Sequence, residues 1–253
     1  MVKKAPVATN PDTEMKIHGF NACMSLFKSR PQAVIRVYIT EKRLHAASEL
    51  IRHCVEKKLA YHVSTVEELD KVTEGTHHEG ICMVIRKLKR PGLTDLRALA
   101  EDKGVWLALE NVNNPHNLGA IARSAAHFGV KGIFVLGEKA NFQNGAFYRT
   151  AEGGAEACAM VAVKSLMELQ SLCEGLGLEM FATSSHEAKS LYTTKLSQKC
   201  VFLIGAEGVG LSREALSMCK KKIAIPGTGA VESLNVSVAT SVCVSEWSRQ
   251  FQH

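Results

Sequence analysis

Long apolar runs are missing from this sequence of 253 residues. None approaches the ~20 consecutive apolar residues that a membrane helix needs, so no bilayer-spanning helix is expected. The first fifteen residues carry Lys3 and Lys4 but no hydrophobic stretch of the kind a secretory leader has, and secretion is not expected. Close-set cysteines are missing too. The eight cysteines (Cys23, Cys54, Cys82, Cys158, Cys173, Cys200, Cys219 and Cys243) form no C-x-x-C pair, and the ten histidines are equally dispersed. Structural metal sites need ligands clustered on short turns, so no metal is assigned. Cys82 and Cys200 sit in or beside apolar runs, where a free thiol behaves as a small hydrophobe. The pattern predicts buried, reduced thiols and a cytoplasmic protein. Extreme charge is also lacking: the net charge of +6 permits a polyanionic partner without demanding one. What remains, 46% hydrophobic and 22% charged residues, is globular composition and excludes collagen, coiled-coil and disordered classes.

The order of periodicities predicts two α/β units. Residues 1–15 show none and read as a flexible tail. Within 16–88 a short helix is expected over 18–28, strands over 34–40, 61–63 and 80–86, and an amphipathic helix where Leu44, Ala47, Leu50, Ile51, Cys54 and Val55 recur at three and four residues. Residues 66–69 read as a helical turn. The charged stretch 89–104 contains Pro91–Gly92 and reads as a linker with one short helix begun at Thr94. The unit 105–253 alternates near-continuous apolar strands (105–109, 132–136, 179–183, 201–205, 222–226) with helices (117–128, 165–173, 212–219, 235–250), and 137–150 reads as looser chain. Such alternation implies a mostly parallel sheet covered on both faces.

Ligands of open parallel sheets collect at the carboxyl ends of the strands. Three strand-end loops stand out here. The first, E-N-V-N-N-P-H-N-L-G (110–119), is crowded with amides and leads into a helix bearing Arg123. Asn117 and Arg123 are six residues apart, on different faces of an ideal helix, so joint action would require Asn117 at the cap. Arginine opposes the helix dipole there unless a phosphate is bound, and a surface salt bridge is the alternative role. The second loop, G-A-E-G-V-G-L (205–211), has closely spaced glycines around a single acid, Glu207. In the third, G-T-G-A-V-E-S-L-N-V-S-V-A (227–239), Ser233 and Asn235 begin the last helix, either as N-cap or as holders of a cofactor or ribose. Neither G-x-G-x-x-G nor G-x-x-x-x-G-K-[ST] occurs, which argues against a nucleotide-dependent oxidoreductase or NTPase.

Taken together, N-x-x-N-P-H-N-L-G-A-I-A-R-S-A (111–125), G-A-E-G-V-G-L and I-P-G-T-G-A-V-E-S-L-N-V-S-V-A resemble the three signature motifs of the SpoU/TrmH family of the SPOUT methyltransferase superfamily. Residues 16–88 look like that family's ribosomal-protein-like substrate-binding domain, with His78-Glu79-Gly80-Ile81 as its H-x-G-I. The resemblance implies an α/β protein whose C-terminal parallel sheet is tied in a deep trefoil knot, an exception to the rule against knots. It further implies a homodimer that methylates a ribose 2′-hydroxyl of tRNA or rRNA with S-adenosylmethionine (AdoMet), its cofactor pockets at the subunit interface. Carried over by motif position, Gly205, Ile225 and Leu234, with Thr183 at a strand end, line the cofactor pocket. Asn117, Arg123, Glu207, Ser233 and Asn235 form the catalytic and substrate-positioning set. Two positions depart from the family pattern: Asn114 stands where an acid is frequent, and Gly227 where methionine is usual. Glu232 adds a charge beside the pocket without explanation.

Sulfonium-to-oxygen methyl transfer is an in-line displacement that needs proximity and an activated hydroxyl, and it needs no metal. Arg123, acting with an RNA phosphate, is the expected source of that activation. RNA contact is expected from Lys28, Arg30, Arg36, Lys42, Arg43, Lys87, Lys89 and Arg90. The alternative from another class is a catalytically silent RNA-binding protein on the same scaffold, which would have no need of the polar set.

Overall fold

The computed structural model describes residues 10–87, 91–137, 144–184 and 188–252. They divide into two compact units: the chain up to 87 together with 144–156, and the remainder.

In the first unit β1 (Glu14–His18), α1 (Phe20–Ser29), β2 (Val34–Ile39), α2 (Ser48–Glu56), β3 (Ala60–Val63), α3 (Val66–Thr73) and β4 (Ile81–Arg86) succeed one another. They make a four-stranded sheet of order β1-β4-β2-β3. The first strand thus starts at Glu14, inside the stretch 1–15 that reads as a tail, of which 1–9 lie outside the described residues. Glu-Met-Lys-Ile-His alternates, buries Met15 and Ile17, and pairs antiparallel with β4. Five residues of period two are a weak signal until a partner strand supplies the register. α3 is longer than the expected turn because Thr65 and Glu68 close a capping box at its start. His78 of the H-x-G-I segment is buried, accepts from Gly80 N at 2.9 Å and so turns Nε2–H toward Asp70 Oδ1, 3.1 Å away. It shapes the turn into β4.

Several basic residues expected to face RNA are engaged within this unit. Arg30 is paired with the buried Glu156, whose carboxyl burial pushes up while Arg30 pulls it down, and Arg30 also donates to Arg86 O. Arg43 lies 4.8 Å over the Phe20 ring and donates to Glu79 O at 2.9 Å; Lys87 Nζ donates to Pro11 O. Arg36 reaches Tyr38 Oη at 3.3 Å. Lys28 and Lys42 are exposed, and Lys89 and Arg90 lie outside the described residues.

Along the rest of the chain come α4 (Leu93–Leu99), β5 (Gly104–Glu110), α5 (Pro115–His127), β6 (Gly132–Leu136), α6 (Gly145–Ala151), α7 (Gly154–Ala157), β7 (Ala159–Val163), α8 (Leu166–Leu176), β8 (Glu179–Thr183), β9 (Lys189–Ser190), β10 (Lys199–Gly205), α9 (Arg213–Met218), β11 (Lys221–Ala224) and α10 (Val236–Phe251). α6, in the stretch that reads as loose chain, is started by Asn144, whose side chain accepts from Phe147 N at 2.9 Å. β7 has no counterpart in the sequence reading: Ala-Met-Val-Ala-Val is a short run at the sheet edge, and pairing with β6 decides its state. α4 contributes Leu96 to the core of the second unit, so the expected linker is partly structural.

The sheet has seven strands in the order β7-β6-β5-β10-β8-β11-β9, all pairings parallel. Side chains alternate across a strand. Trp106 and Ala108 of β5, Phe134 of β6, and Val201 and Leu203 of β10 face one way, into a core closed by Leu169 and Cys173 of α8 and Ala215 of α9. Leu107, Leu109, Ile133, Phe202 and Ile204 face the other way and are equally buried. The chain winds outward from β5 through β6 to β7 on one side and places β10 on the other, so the order reverses between β5 and β10. This reversal is where open α/β sheets bind their ligands.

Among the described residues no helix is long and apolar enough to cross a membrane. All eight cysteines are buried and unpaired, and burial pushes their thiols up, to about 11 for Cys54 and Cys219 and about 12 for Cys82, Cys158, Cys173 and Cys243. A thiol reagent at neutral pH is therefore expected to label none in the folded protein and every one in denaturant. Fast labelling of the native protein would contradict that burial.

Candidate active site

The site lies where the chain leaves β5, β10 and β11. β5 and β10 are in parallel register with Glu110 beside Gly205, so the loops that follow them start level. After β5 the chain turns through Asn111 at positive φ, which asparagine tolerates better than most residues, and enters α5 with Asn114 as N-cap and Pro115 in the first turn. Asn114 Oδ1 accepts from His116 N at 2.9 Å. The cap is therefore Asn114 and not Asn117. The departure at 114 is conservative in this respect, since asparagine and aspartate cap about equally well.

Asn117, in the first turn of α5, points into the site. Its Nδ2 donates to Glu207 Oε2 at 3.4 Å, and its Oδ1 accepts from Asn235 Nδ2 at 3.3 Å. Asn235 Nδ2 also donates to Glu207 Oε1 at 3.4 Å, which closes a three-cornered network. Asn235 is the N-cap of α10, its Oδ1 accepting from Ser237 N at 2.9 Å and Ser237 Oγ at 2.6 Å. Those two donors orient the carboxamide, so its Nδ2 must face Asn117 and Glu207. The two roles that the sequence leaves open for Asn235 are thus one: capping the helix is what aims the side chain.

Glu207 sits on a loop with little freedom. Gly210 N donates to Ala206 O at 2.8 Å, with Gly208 and Gly210 at positive φ. A Cβ on Gly205 would lie 2.0 Å from the Gly210 carbonyl carbon, so the residue there must lack a side chain. Thr183, half-buried at the end of β8, donates to Leu203 O at 2.9 Å. Ile225 is half-buried, and Leu234 is 42% exposed.

Of the expected set, Asn117, Glu207 and Asn235 come together from positions far apart in the chain. Arg123 stands exposed more than a turn further along α5, and Ser233 and Glu232 are exposed in the loop before α10; none of the three bonds above runs to them. Next to Arg123, Ser124 accepts from Ser241 Oγ of α10 at 2.8 Å, which ties the two helices that carry the asparagines. One residue escaped the sequence reading. Glu110 is 8% exposed and accepts from Ser212 N at 2.8 Å and Ser212 Oγ at 2.7 Å. Its signal was an acid closing an otherwise apolar strand.

A parallel sheet with carboxamides and a carboxylate gathered over glycine-rich turns at its switch point defines an α/β enzyme of the strand-end type. The sequence pattern of the SpoU rRNA methylase family matches residues 104–245, and that of RNA 2′-O ribose methyltransferase substrate binding matches residues 16–91. The chain belongs to the SpoU rRNA methylase family. It is 38% identical over 237 residues to the uncharacterized tRNA/rRNA methyltransferase YfiF of Escherichia coli O157:H7, covering 94% of this chain and 68% of that one. To the 23S rRNA (guanosine-2′-O-)-methyltransferase RlmB of Photorhabdus laumondii it is 33% identical, covering 92% and 97%. Its fold is that of the AdoMet-bound rRNA methyltransferase of Sinorhizobium meliloti (TM-score 0.79, 20% identity, 96% and 89% covered) and of AviRb from Streptomyces viridochromogenes with AdoMet (TM-score 0.78, 20% identity, 95% and 91% covered).

Proposed function

We propose that this SpoU-family protein transfers the methyl group of AdoMet to a ribose 2′-hydroxyl of ribosomal or transfer RNA. The observation that carries the reading is the hydrogen-bonded convergence of Asn117, Glu207 and Asn235 at the switch point. A catalytically silent RNA-binding protein has no use for such a polar cluster and gains no support from it.

The residues present fit the cofactor. Gly227 and Gly229 have open space where a side chain would begin, which leaves the backbone of 225–235 accessible, and exposed Leu234 adds an apolar wall. Backbone polar groups with apolar contact suit an adenine ring. Thr183, Gly205, Ile225 and Leu234 would hold AdoMet, which when bound supplies an electrophilic methyl on its sulfonium. Glu207 and Asn117 orient the target nucleotide, Asn235 holds both in place, and Ser233 reaches the ribose. Arg123 grips an RNA phosphate and stabilises the charge that grows on the 2′-oxygen as its proton leaves.

The family resemblance implies a deep trefoil knot in the C-terminal part of the chain. It also gives a homodimer, a reading supported by the exposed Val209, Val231, Leu234 and Val238 around the loops and the start of α10. Eight free, buried thiols suit a reducing cytoplasm. RNA contact falls to the first unit, where Lys28, Phe20, Asn21, Met24 and Ser25 of α1, with Ala46 and the carboxylate of Glu152, line a recess of about 330 Å³. Aromatic, amide and cationic groups together suit an unpaired nucleotide.

Incubating the protein with labelled AdoMet and total ribosomal and transfer RNA, then mapping 2′-O-methylation, tests the reading. Label is expected at a discrete ribose, with RNA affinity that falls steeply as salt rises. Label on a base or on protein, or RNA binding indifferent to salt, would refute it.

A further inference from the structure

We infer that Glu110 is a positioning residue for methyl transfer: through Ser212 it braces the loop 205–211 and thereby holds Glu207 against Asn117 and Asn235. The inference rests on the proposed function but concerns a residue outside the motif set.

Glu110 is the last residue of β5, and its backbone is paired in register with Gly205, the last residue of β10. Its side chain reaches past the loop to the far end, where Oε2 accepts from Ser212 N at 2.8 Å and Oε1 from Ser212 Oγ at 2.7 Å. One residue therefore fixes both ends of the segment that carries Glu207, its backbone at Gly205 and its carboxylate at Ser212. Seven residues further along the chain from Glu110 stands Asn117, so the same strand end also launches the helix that presents Glu207 with its partner.

The geometry suits a carboxylate. Ser212 Oγ accepts from Ala215 N at 3.1 Å as N-cap of α9, so its proton is directed at Glu110. Two donors thus face one side chain, and a carboxylate answers both with its two oxygens. Glutamine would accept from Ser212 N and turn its NH2 to Ser212 Oγ, which loses the negative charge and the acceptor of the hydroxyl proton. Charge-assisted bonds of this length, largely shielded from water, are roughly twice as strong as neutral ones. No role in contacting RNA or cofactor is needed, because a misplacement of Glu207 by about 1 Å is enough to cost on the order of 10²-fold in rate.

The test compares wild type with Glu110→Ala, Glu110→Gln and Ser212→Ala in single-turnover methyl transfer to the RNA that the labelling experiment identifies, with RNA affinity measured separately. The expected result is a rate loss of about 10- to 100-fold for Glu110→Ala and a smaller loss for the other two, each keeping one of the two bonds, with RNA affinity within about twofold. Rates within about twofold of wild type in the folded variants overturn the inference, and so does a loss of RNA affinity parallel to the loss of rate. If Glu110→Ala does not fold, the two milder variants decide. A wild-type protein that methylates no RNA refutes the functional reading instead. The brace is then judged by hydrogen exchange at the amides of 206–212, which speeds up in Glu110→Gln if the brace exists and is unchanged if it does not.

Discussion

Arg123→Ala is expected to slow methyl transfer by about 10²- to 10⁴-fold, the range that a well-placed polar group contributes to a proton-coupled displacement. AdoMet affinity is expected to change by less than about twofold, because a group that acts on the nucleophile contributes to the transition state and not to cofactor binding. Arg123 is exposed on α5, more than a turn beyond Asn117, and none of the hydrogen bonds joining Asn117, Glu207 and Asn235 runs to it. The three hydrogen bonds of the cluster are made without it. A ribose hydroxyl is a weak nucleophile, and a guanidinium holding the adjoining phosphate in a bidentate grip stabilises the developing oxyanion. Arg123→Lys keeps the charge but loses the planar fork, and should recover a small part of the rate. The decisive pair of measurements is single-turnover transfer and calorimetric titration with AdoMet. Equal losses in both would assign Arg123 to the cofactor pocket and refute its catalytic role.

Gly205→Ala is expected to abolish AdoMet binding and to destabilise the protein by roughly 3 kcal/mol, the upper end of what overpacking costs in a well-packed region. The methyl carbon would lie 2.0 Å from the Gly210 carbonyl carbon, 2.3 Å from its oxygen and 2.3 Å from Leu211 N. All three are backbone atoms, so no rotamer change relieves the clash and the whole turn must move. That turn carries Glu207 and leads to Ser212, and β10 ends at Gly205 itself. Calorimetry for AdoMet and thermal unfolding measure the two effects separately. Wild-type AdoMet affinity in Gly205→Ala would show that the end of β10 is not a wall of the cofactor pocket.

Much of the second unit is legible from periodicity. β5, β6 and β10 are uninterrupted apolar runs because both of their faces are covered, and α5 and α10 begin at asparagines that cap them. The motifs at their strand ends point to the family without any coordinates. Less was legible where an element owes its state to a neighbour. β1 is five residues of mixed charge and becomes a strand through β4; β7 becomes one through β6. The partners of the basic residues were illegible for a related reason. Charge along the chain does not say which arginine will meet a carboxylate, and Arg30 meets Glu156, 126 residues away.

The sequence by itself determined the two α/β units, the parallel character of the larger sheet and the residue types of the site. Spacing of apolar positions and strand-end composition are local properties, and local properties are carried by order along the chain. The tertiary structure decided that Asn114 rather than Asn117 caps α5, that Asn235 caps and aims at once, and that Glu110 meets Ser212. The two caps are bonds between residues two apart, but the aim of Asn235 at Asn117 and Glu207 and the meeting of Glu110 with Ser212 depend on strands and helices brought together from distant parts of the chain. Parallel pairing is a non-local hydrogen-bond pattern that no short stretch of sequence specifies.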